Sequence, residues 1–496
     1  MSFTDCDLSS TDFKSNWQQE RNVTTNSTQT GKQEFADSEC QSFDRNSVEI
    51  QVNLTENREF LEEFDQAKVV DFLRRVEPMV VKTIEQNNRS TAFKRYQKVL
   101  AAQEDISVVN SHSLKENDLA TEDAQVLAVD CNSTGTTLAA GYGLSSHEDW
   151  CAHRGLACTW NIERRTLNPS KSDITLELDS CVSSLKFHPT QPALLAVGTF
   201  TGELSIFNLS FTQGNMMIAF SKAGDTSHKD PITCLQWIPY KANNMVLASA
   251  SYDGKILLWT IPSRGQELEI VTAFAITIRS LPRALRGKVS NLDKETGMTG
   301  LAFSRKEADL FLATGETGAI LHCNLNSKDP VGNLGDQPLY NPVVLNLRPH
   351  RGPVYCIKES PFHRNLFLTA SADGTVKIYN ILKIEPIFSC NLAAGYVYSA
   401  AWSPNRPLVF AAATSGGQLA VFDLAANESS PTVRFDGTND ASAVLCVAFN
   451  PVKADLLVSG DATGALKVWK LGERFSSQAV GEEQKLNLLS ARSLED

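Results

Sequence analysis

From Val126 onward, one pattern of apolar and polar positions recurs seven times along the chain. An alternating strand ends in a small polar or Pro step, a strand of small and aliphatic residues follows, and after a turn a third strand ends in an aromatic residue. The units read VLAVDCNSTGTTLAAGYG with ACTWNI, VSSLKFHPTQPALLAVGTFTGELSIFNL, ITCLQWIPYKANNMVLASASYDGKILLWTI, MTGLAFSRKEADLFLATGETGAILHCNL, VYCIKESPFHRNLFLTASADGTVKIYNI, VYSAAWSPNRPLVFAAATSGGQLAVFDL and VLCVAFNPVKADLLVSGDATGALKVWKL. Their equivalent end positions are Trp160, Phe207, Trp259, Cys323, Tyr379, Phe422 and Trp469, spaced 47, 52, 64, 56, 43 and 47 residues apart. Strand sets of this kind have two faces to cover, and radial stacking of four-stranded blades covers both while leaving only short edges. The spacing fits blades of about 40 to 45 residues plus insertions. An all-β, seven-bladed propeller is therefore predicted over residues 103–472.

Several details follow from that frame. In the S-x-D-G turns, Asp253 and Asp373 accept local hydrogen bonds, and Gly254 and Gly374 supply the positive φ of a tight reversal. A ring must be closed, and Ile106–Asn110 (ISVVN) stands where an outer strand for the seventh blade belongs; the rival is Phe475–Val480. Trp237, Trp402 and Phe449 end equivalent inner strands and are expected in the core, and His188 with Pro189 reads as turn chemistry. Two insertions stand out, Leu144–Gly155 within blade one and Ser280–Gly297 between blades three and four.

The pattern changes ahead of the repeats. Residues 1–50 hold 23 Ser, Thr, Asn or Gln, too few apolar groups to offset chain entropy, so 1–56 is predicted to be a disordered arm. Within it NSTQTGK (Asn26–Lys32) and VEIQVNL (Val48–Leu54) each centre a Gln between residues able to extend, a form that adds to an exposed sheet edge. Residues 57–102 favour helix. Phe60, Leu61 and Phe64 lead into Leu73, Val76, Val80 and Ile84, whose steps of 3, 4 and 4 define a helical stripe, and Phe93, Tyr96 and Leu100 continue it. Pro78 lacks an N–H, so a break or kink is predicted there, with a second helix starting at the Pro. Residues 473–496 form a tail.

Charge narrows the chemistry. Residues 1–123 carry 23 Asp and Glu against 14 Lys and Arg, and 473–496 carry five against three, so the net −11 leaves 124–472 neutral. A neutral body with an acidic arm has no electrostatic footprint for nucleic acid or anionic lipid. The start MSFTDCDLSS has no basic, then apolar, leader, and no apolar run exceeds strand length, so neither secretion nor membrane insertion is expected. Eleven scattered Cys without C-x-x-C spacing read as reduced thiols.

No nucleotide loop G-x-x-x-x-G-K-[ST], nucleophile elbow G-x-S-x-G or H-E-x-x-H occurs, so no catalytic residue, cofactor or enzyme activity is expected. His147, Cys151 and His153, with Glu148 and Asp149, are the best metal candidates. Their H-x3-C-x-H spacing lacks a paired second half, so no metal is expected and the loop reads as an interaction or packing loop carrying Trp150. Arg279, Arg283, Arg286 and Lys288 form a local basic patch that reads as a solvated loop.

The repeats resemble WD-repeat propellers, in which a His ahead of the blade, a Ser, an Asp and a Trp form a buried tetrad. His228, Ser251, Asp253 and Trp259 match it in blade three; blade five keeps His350, Ser371 and Asp373 with Tyr379 for the Trp. The whole layout resembles the dynein intermediate chain family, on its cytoplasmic dynein-2 side. FLRRVEPMV (Phe72–Val80), AGYG (Ala140–Gly143), HEDW (His147–Trp150), FHPTQP (Phe187–Pro192) and the LPR segment at Leu281 carry that likeness. Thr28, Gln29 and Thr30, and Ile50, Gln51 and Val52, look like the T-Q-T and I-Q-V motif classes read by the eight-kilodalton dynein light chain.

The resemblance implies a non-catalytic motor subunit for retrograde intraflagellar transport and cilium assembly, placed in the cytoplasm, at the axoneme and at the basal body. Its propeller would hold the dynein-2 heavy-chain tail. Its arm would bind eight-kilodalton light chains on the Gln-centred motifs, roadblock-type light chains on Phe72, Leu73, Val76, Val80 and Ile84, and Tctex-type light chains, beside a second intermediate chain. The competing reading is a WD-repeat scaffold for another dynein class or for chromatin or ubiquitin machinery.

Overall fold

The computed structural model describes residues 66–89 and 108–491, apart from short gaps at 119–122, 148–149, 212–214, 223, 225, 241–243, 263, 288–290, 305–308 and 479–480. The chain divides into two units at Glu85. The Gln-centred motifs at Thr28–Thr30 and Ile50–Val52 lie outside the described residues.

Helix α1 runs over Gln66–Arg89 with Pro78 inside it, so of the break or kink expected at Pro78 the break does not occur, and no second helix starts there. Pro78 removes a single hydrogen bond, the one its amide would have donated to the Arg74 carbonyl. Arg74 is exposed, and the helix continues on both sides of the Pro. Val70, Phe72, Leu73, Met79, Val80 and Val81 are all exposed on α1, and Val76 is half-buried. The backbone of Ile84 is helical.

The propeller consists of seven sheets, each opening on an innermost strand: Gln125–Cys131, Val182–Phe187, Ile232–Tyr240, Met298–Phe303, Val354–Glu359, Val397–Trp402 and Val444–Phe449. Each of these strands carries a register shift near its start, for example between Val182 and Ser184 and between Ile232 and Cys234. A bulge turns the intervening side chain away from the ladder. Two such side chains then tie neighbouring blades together: Ser183 Oγ donates to the Ile232 carbonyl at 2.8 Å and Thr233 Oγ1 to the Met298 carbonyl at 2.8 Å. Trp237, Trp402 and Phe449 are buried, and the Trp237 and Trp402 indoles donate across to the carbonyls of Lys186 and Lys358 in neighbouring blades.

The core is divided into clusters, most of them lying between blades. Ring closure is carried by one in which Val126, Leu138 and Trp160 of blade one meet Cys446, Val458 and Val468 of blade seven. The outer strand of blade seven comes from the N-terminal side: Val108–Leu114 pairs antiparallel with Leu466–Leu471, Val108 opposite Leu471. In the rival segment, Glu473–Ser476 instead forms a short helix, α2, whose Phe475 is fully buried.

Two features lie outside the sequence expectation. Between the third and fourth strands of blade four, the chain leaves as a hairpin, Asp329–Leu334 and Gln337–Asn341. The second hairpin strand pairs parallel to Glu269–Ala275 of blade three, widening that sheet to six strands. Beyond α2, helix α3 (Glu482–Ala491) packs Leu486 and Leu489 among residues of blades five and six, and the Asn380 and Lys383 side chains donate to its last carbonyls. The segment expected as a tail is thus folded onto the propeller as far as Ala491.

Candidate interaction site and the blade-one cluster

The tetrads show how the sequence braces its blades. In blade three His228 Nε2 and Trp259 Nε1 converge on the hydroxyl of Ser249, at 2.7 and 2.8 Å, and His228 Nδ1 faces both oxygens of Asp253 at 3.2 Å. The bridging serine is Ser249 rather than Ser251. Ser249 pairs with Leu257 in mid-strand, diagonal to Trp259, whereas Ser251 ends the strand and serves the turn. There Ser251 donates to the Asp230 carbonyl and accepts from the Asp253 amide. Blade five repeats the correction: His350 Nε2 meets Thr369 Oγ1 at 2.8 Å, while Ser371 donates to the Gly352 and Pro353 carbonyls. Tyr379 stands where the Trp would and donates instead to the Arg348 carbonyl at 2.9 Å. Blade seven keeps half a tetrad, Trp469 Nε1 donating to Ser459 at 2.8 Å.

Electrostatics follow from burial and partners. Burial would raise the Asp253 carboxyl, but the His228 hydrogen bond and the nearby charges of His228 and Lys255 bring it down to about 2. Burial lowers the imidazoles of His188 and His350 below their ordinary value. His188 Nδ1 accepts from the amides of Thr190 and Gln191, a role protonation would abolish. Both depressed histidines take up a proton first in the unfolded chain, so stability falls as pH drops through about 6.5. Calorimetric scans from pH 7.5 to 5.5 are expected to show that decline, with a shallower slope in His188→Gln. Asp253 contributes no change in this window, because its stabilisation is lost only on approach to pH 2.

Two members of the basic patch, Arg279 and Arg286, are bonded locally. Arg279 pairs with Asp293 at 2.8 Å and Arg286 donates to the carbonyls of Leu281 and Arg279, which pins two short 3-10 turns at Ile278–Ser280 and Arg283–Leu285. Lys288 lies outside the described residues. At one mouth of the central channel the charged lining groups are Asp130, Lys186, Lys358 and Glu359. Asp130 is taken up by Lys186 Nζ at 2.6 Å and by the Phe187 amide at 2.8 Å.

Blade one holds the densest chemistry. Its second strand, Thr137–Gly143, leaves into the insertion and returns as Gly155–Asn161. The insertion brings His147, Cys151 and His153 together, and the fold adds a fourth group that spacing did not reveal: Cys181, just ahead of the inner strand of blade two. One donor atom from each lies within 4.8 Å of all the others. Among the described residues this is the one group of three or more His, Cys, Asp or Glu able to hold a metal ion. Cys151 and Cys181 are buried, His147 is half-buried and His153 is exposed. Burial pushes the Cys151 thiol up, yet hydrogen bonding from its neighbours brings it down to about 6, while burial takes Cys181 up to about 11. Trp150 stands beside this cluster with 71% of its surface exposed. Glu148 and Asp149 lie outside the described residues.

With this geometry in place, the comparisons with known proteins assign the class and then the family. Residues 222–260 and 341–380 match the family model described as WD domain, G-beta repeat, which covers the two tetrad blades. The chain is 36% identical over 477 residues to the mouse protein Cytoplasmic dynein 2 intermediate chain 2, covering 94% of this chain and 88% of that one. Against the human protein of the same name, identity is 36% over 434 residues, or 86% and 80% of the two chains. Rat Dynein axonemal intermediate chain 4 is 28% identical over 71% of this chain and 42% of its own. The protein is a WD-repeat propeller. It belongs to the dynein intermediate chain family, with dynein-2 intermediate chains among its homologues, and the comparisons indicate no enzymatic family.

Proposed function

We propose that the chain is the intermediate chain of a cytoplasmic dynein-2 motor, serving retrograde intraflagellar transport and cilium assembly in the cytoplasm, at the axoneme and at the basal body. The propeller holds the heavy-chain tail. The segment ahead of it is a platform for dimeric light chains: the eight-kilodalton type on Thr28–Thr30 and Ile50–Val52, the roadblock type on Phe72, Leu73, Val76, Val80 and Ile84, and a Tctex-type chain. A second intermediate chain completes the pair. The observation that carries this reading is α1, a 24-residue helix that exposes Phe72, Leu73, Met79 and Val80 to solvent. Exposed apolar side chains at these spacings are what an amphipathic helix offers to a partner's groove.

The mechanism is assembly rather than chemistry. Once one dimeric light chain ties two arms side by side, the remaining sites meet at high effective concentration, and later dimers bind at little further entropic cost. Two motor subunits are thereby held in register.

Co-purification of the full chain with eight-kilodalton and roadblock light chains tests this. The double variant Gln29→Ala, Gln51→Ala is expected to lose the eight-kilodalton chain alone, and Leu73→Asp, Val80→Asp the roadblock chain alone. If the wild type retains neither, the motifs are coincidental and the chain is a WD-repeat scaffold for another dynein class or for chromatin or ubiquitin machinery.

A further inference from the structure

We propose that His147, Cys151, His153 and Cys181 form a structural zinc site that pins the blade-one insertion to the start of blade two. Two thiolates and two imidazoles make a set that selects zinc, whose borderline-soft character and lack of geometric preference suit tetrahedral sulfur and nitrogen donors. Bond lengths of 2.3 Å to sulfur and 2.0 to 2.1 Å to nitrogen imply tetrahedron edges of about 3.3 to 3.8 Å. Donor atoms already gathered within 4.8 Å need to close by only about an ångström. Two thiolates balance one divalent cation, so the occupied site would carry zero net charge.

Three observations besides proximity point to a ligand. Both ring nitrogens of His147 are buried with no hydrogen-bond partner, a costly state for a neutral imidazole and one that a metal relieves directly. The ring is also fixed from outside, since Phe200 packs against it at 3.9 Å between centroids, and the Phe200 amide donates to the Cys181 carbonyl at 2.8 Å. The Cys181 amide donates to Cys151 Sγ at 3.4 Å, an outer contact of the kind that orients a ligating sulfur. His153 Nδ1 stands 4.0 Å from the same sulfur.

The consequence is local order. An insertion whose described residues between Gly143 and Gly155 form no strand would be anchored at three points, holding exposed Trp150 in one place beside the blade-two rim. No feature of the light-chain platform is involved, so this site stands or falls independently of the proposed function.

The test is metal content of the full chain, purified under a phosphine reductant without chelator and measured by plasma mass spectrometry. About one zinc per chain is expected, falling at least tenfold in Cys151→Ser, Cys181→Ser. His153→Ala separates ligation from folding, because His153 is exposed and its truncation opens no cavity. It is expected to weaken zinc retention against a chromophoric chelator at least tenfold while the melting profile of the propeller stays in place. Cobalt exchanged into the wild type should give tetrahedral d–d bands with thiolate charge transfer. Substoichiometric zinc in the wild type, equal zinc in the double-serine variant, or a Cys151–Cys181 disulfide as the stable form under mild reductant would each overturn the proposal.

Discussion

Replacing Ser249 with Ala is expected to destabilise the propeller by about 2 to 4 kcal/mol, because two buried nitrogens lose their partner at once. His228 Nε2 and Trp259 Nε1 both meet the Ser249 hydroxyl, and neither histidine nor serine is exposed to water that could replace it. The size of the loss alone does not identify the bridging serine, since Ser251 is also buried and bonded. Coupling to the indole does. In a double-mutant cycle by urea denaturation, Ser249→Ala and Trp259→Phe should be non-additive by about 1 kcal/mol or more, because each removes one end of the same bond. Ser251→Ala and Trp259→Phe should add, since Ser251 bonds the Asp230 carbonyl and the Asp253 amide instead. Additivity for Ser249 would sink the assignment.

That distinction shows what a linear pattern carries and what it omits. The blades were legible because period-two alternation survives in every repeat and an aromatic end position in all but the fourth, where Cys323 stands in its place. Register within a blade was not. Residues 249 and 251 lie on the same face of one strand, so alternation cannot choose between them, and only the register, Leu247 opposite Trp259 and Ser249 opposite Leu257, puts Ser249 diagonal to the indole. The hairpin at Asp329–Asn341 escaped for a different reason: its first strand is exposed over five of six residues and carries Pro330 and Gly332, so no apolar alternation marks it. Cys181 escaped because its neighbours lie across a blade boundary, and no spacing rule within one loop reaches that far. Pro78 marks neither a break nor the start of a second helix, since α1 continues through it.

The largest single loss of stability is expected from Arg406→Ala, about 3 to 5 kcal/mol, as removal of one member of a buried ionic group strands the others. Arg406 lies in blade six, its side chain 5% exposed. It reaches Asp423 of the same blade at 3.2 Å, Glu482 at the start of α3, and the Arg474 carbonyl of α2. The carboxylates are 4% and 2% exposed, so neither can recover its hydration while the C-terminal segment stays docked. Undocking is the less costly escape. In Arg406→Ala, α3 should therefore release before the blades melt, seen as loss of hydrogen-exchange protection at Leu486 and Leu489 while strand amides in blade three remain protected. Replacing the charges together, Arg406→Met with Glu482→Gln and Asp423→Asn, should restore most of the loss, because an uncharged filling of similar volume avoids burying an unpaired charge. A change below about 0.5 kcal/mol in Arg406→Ala would mean that Leu486, Leu489 and Phe475 hold the segment without the ionic group, and that the charges only set its register.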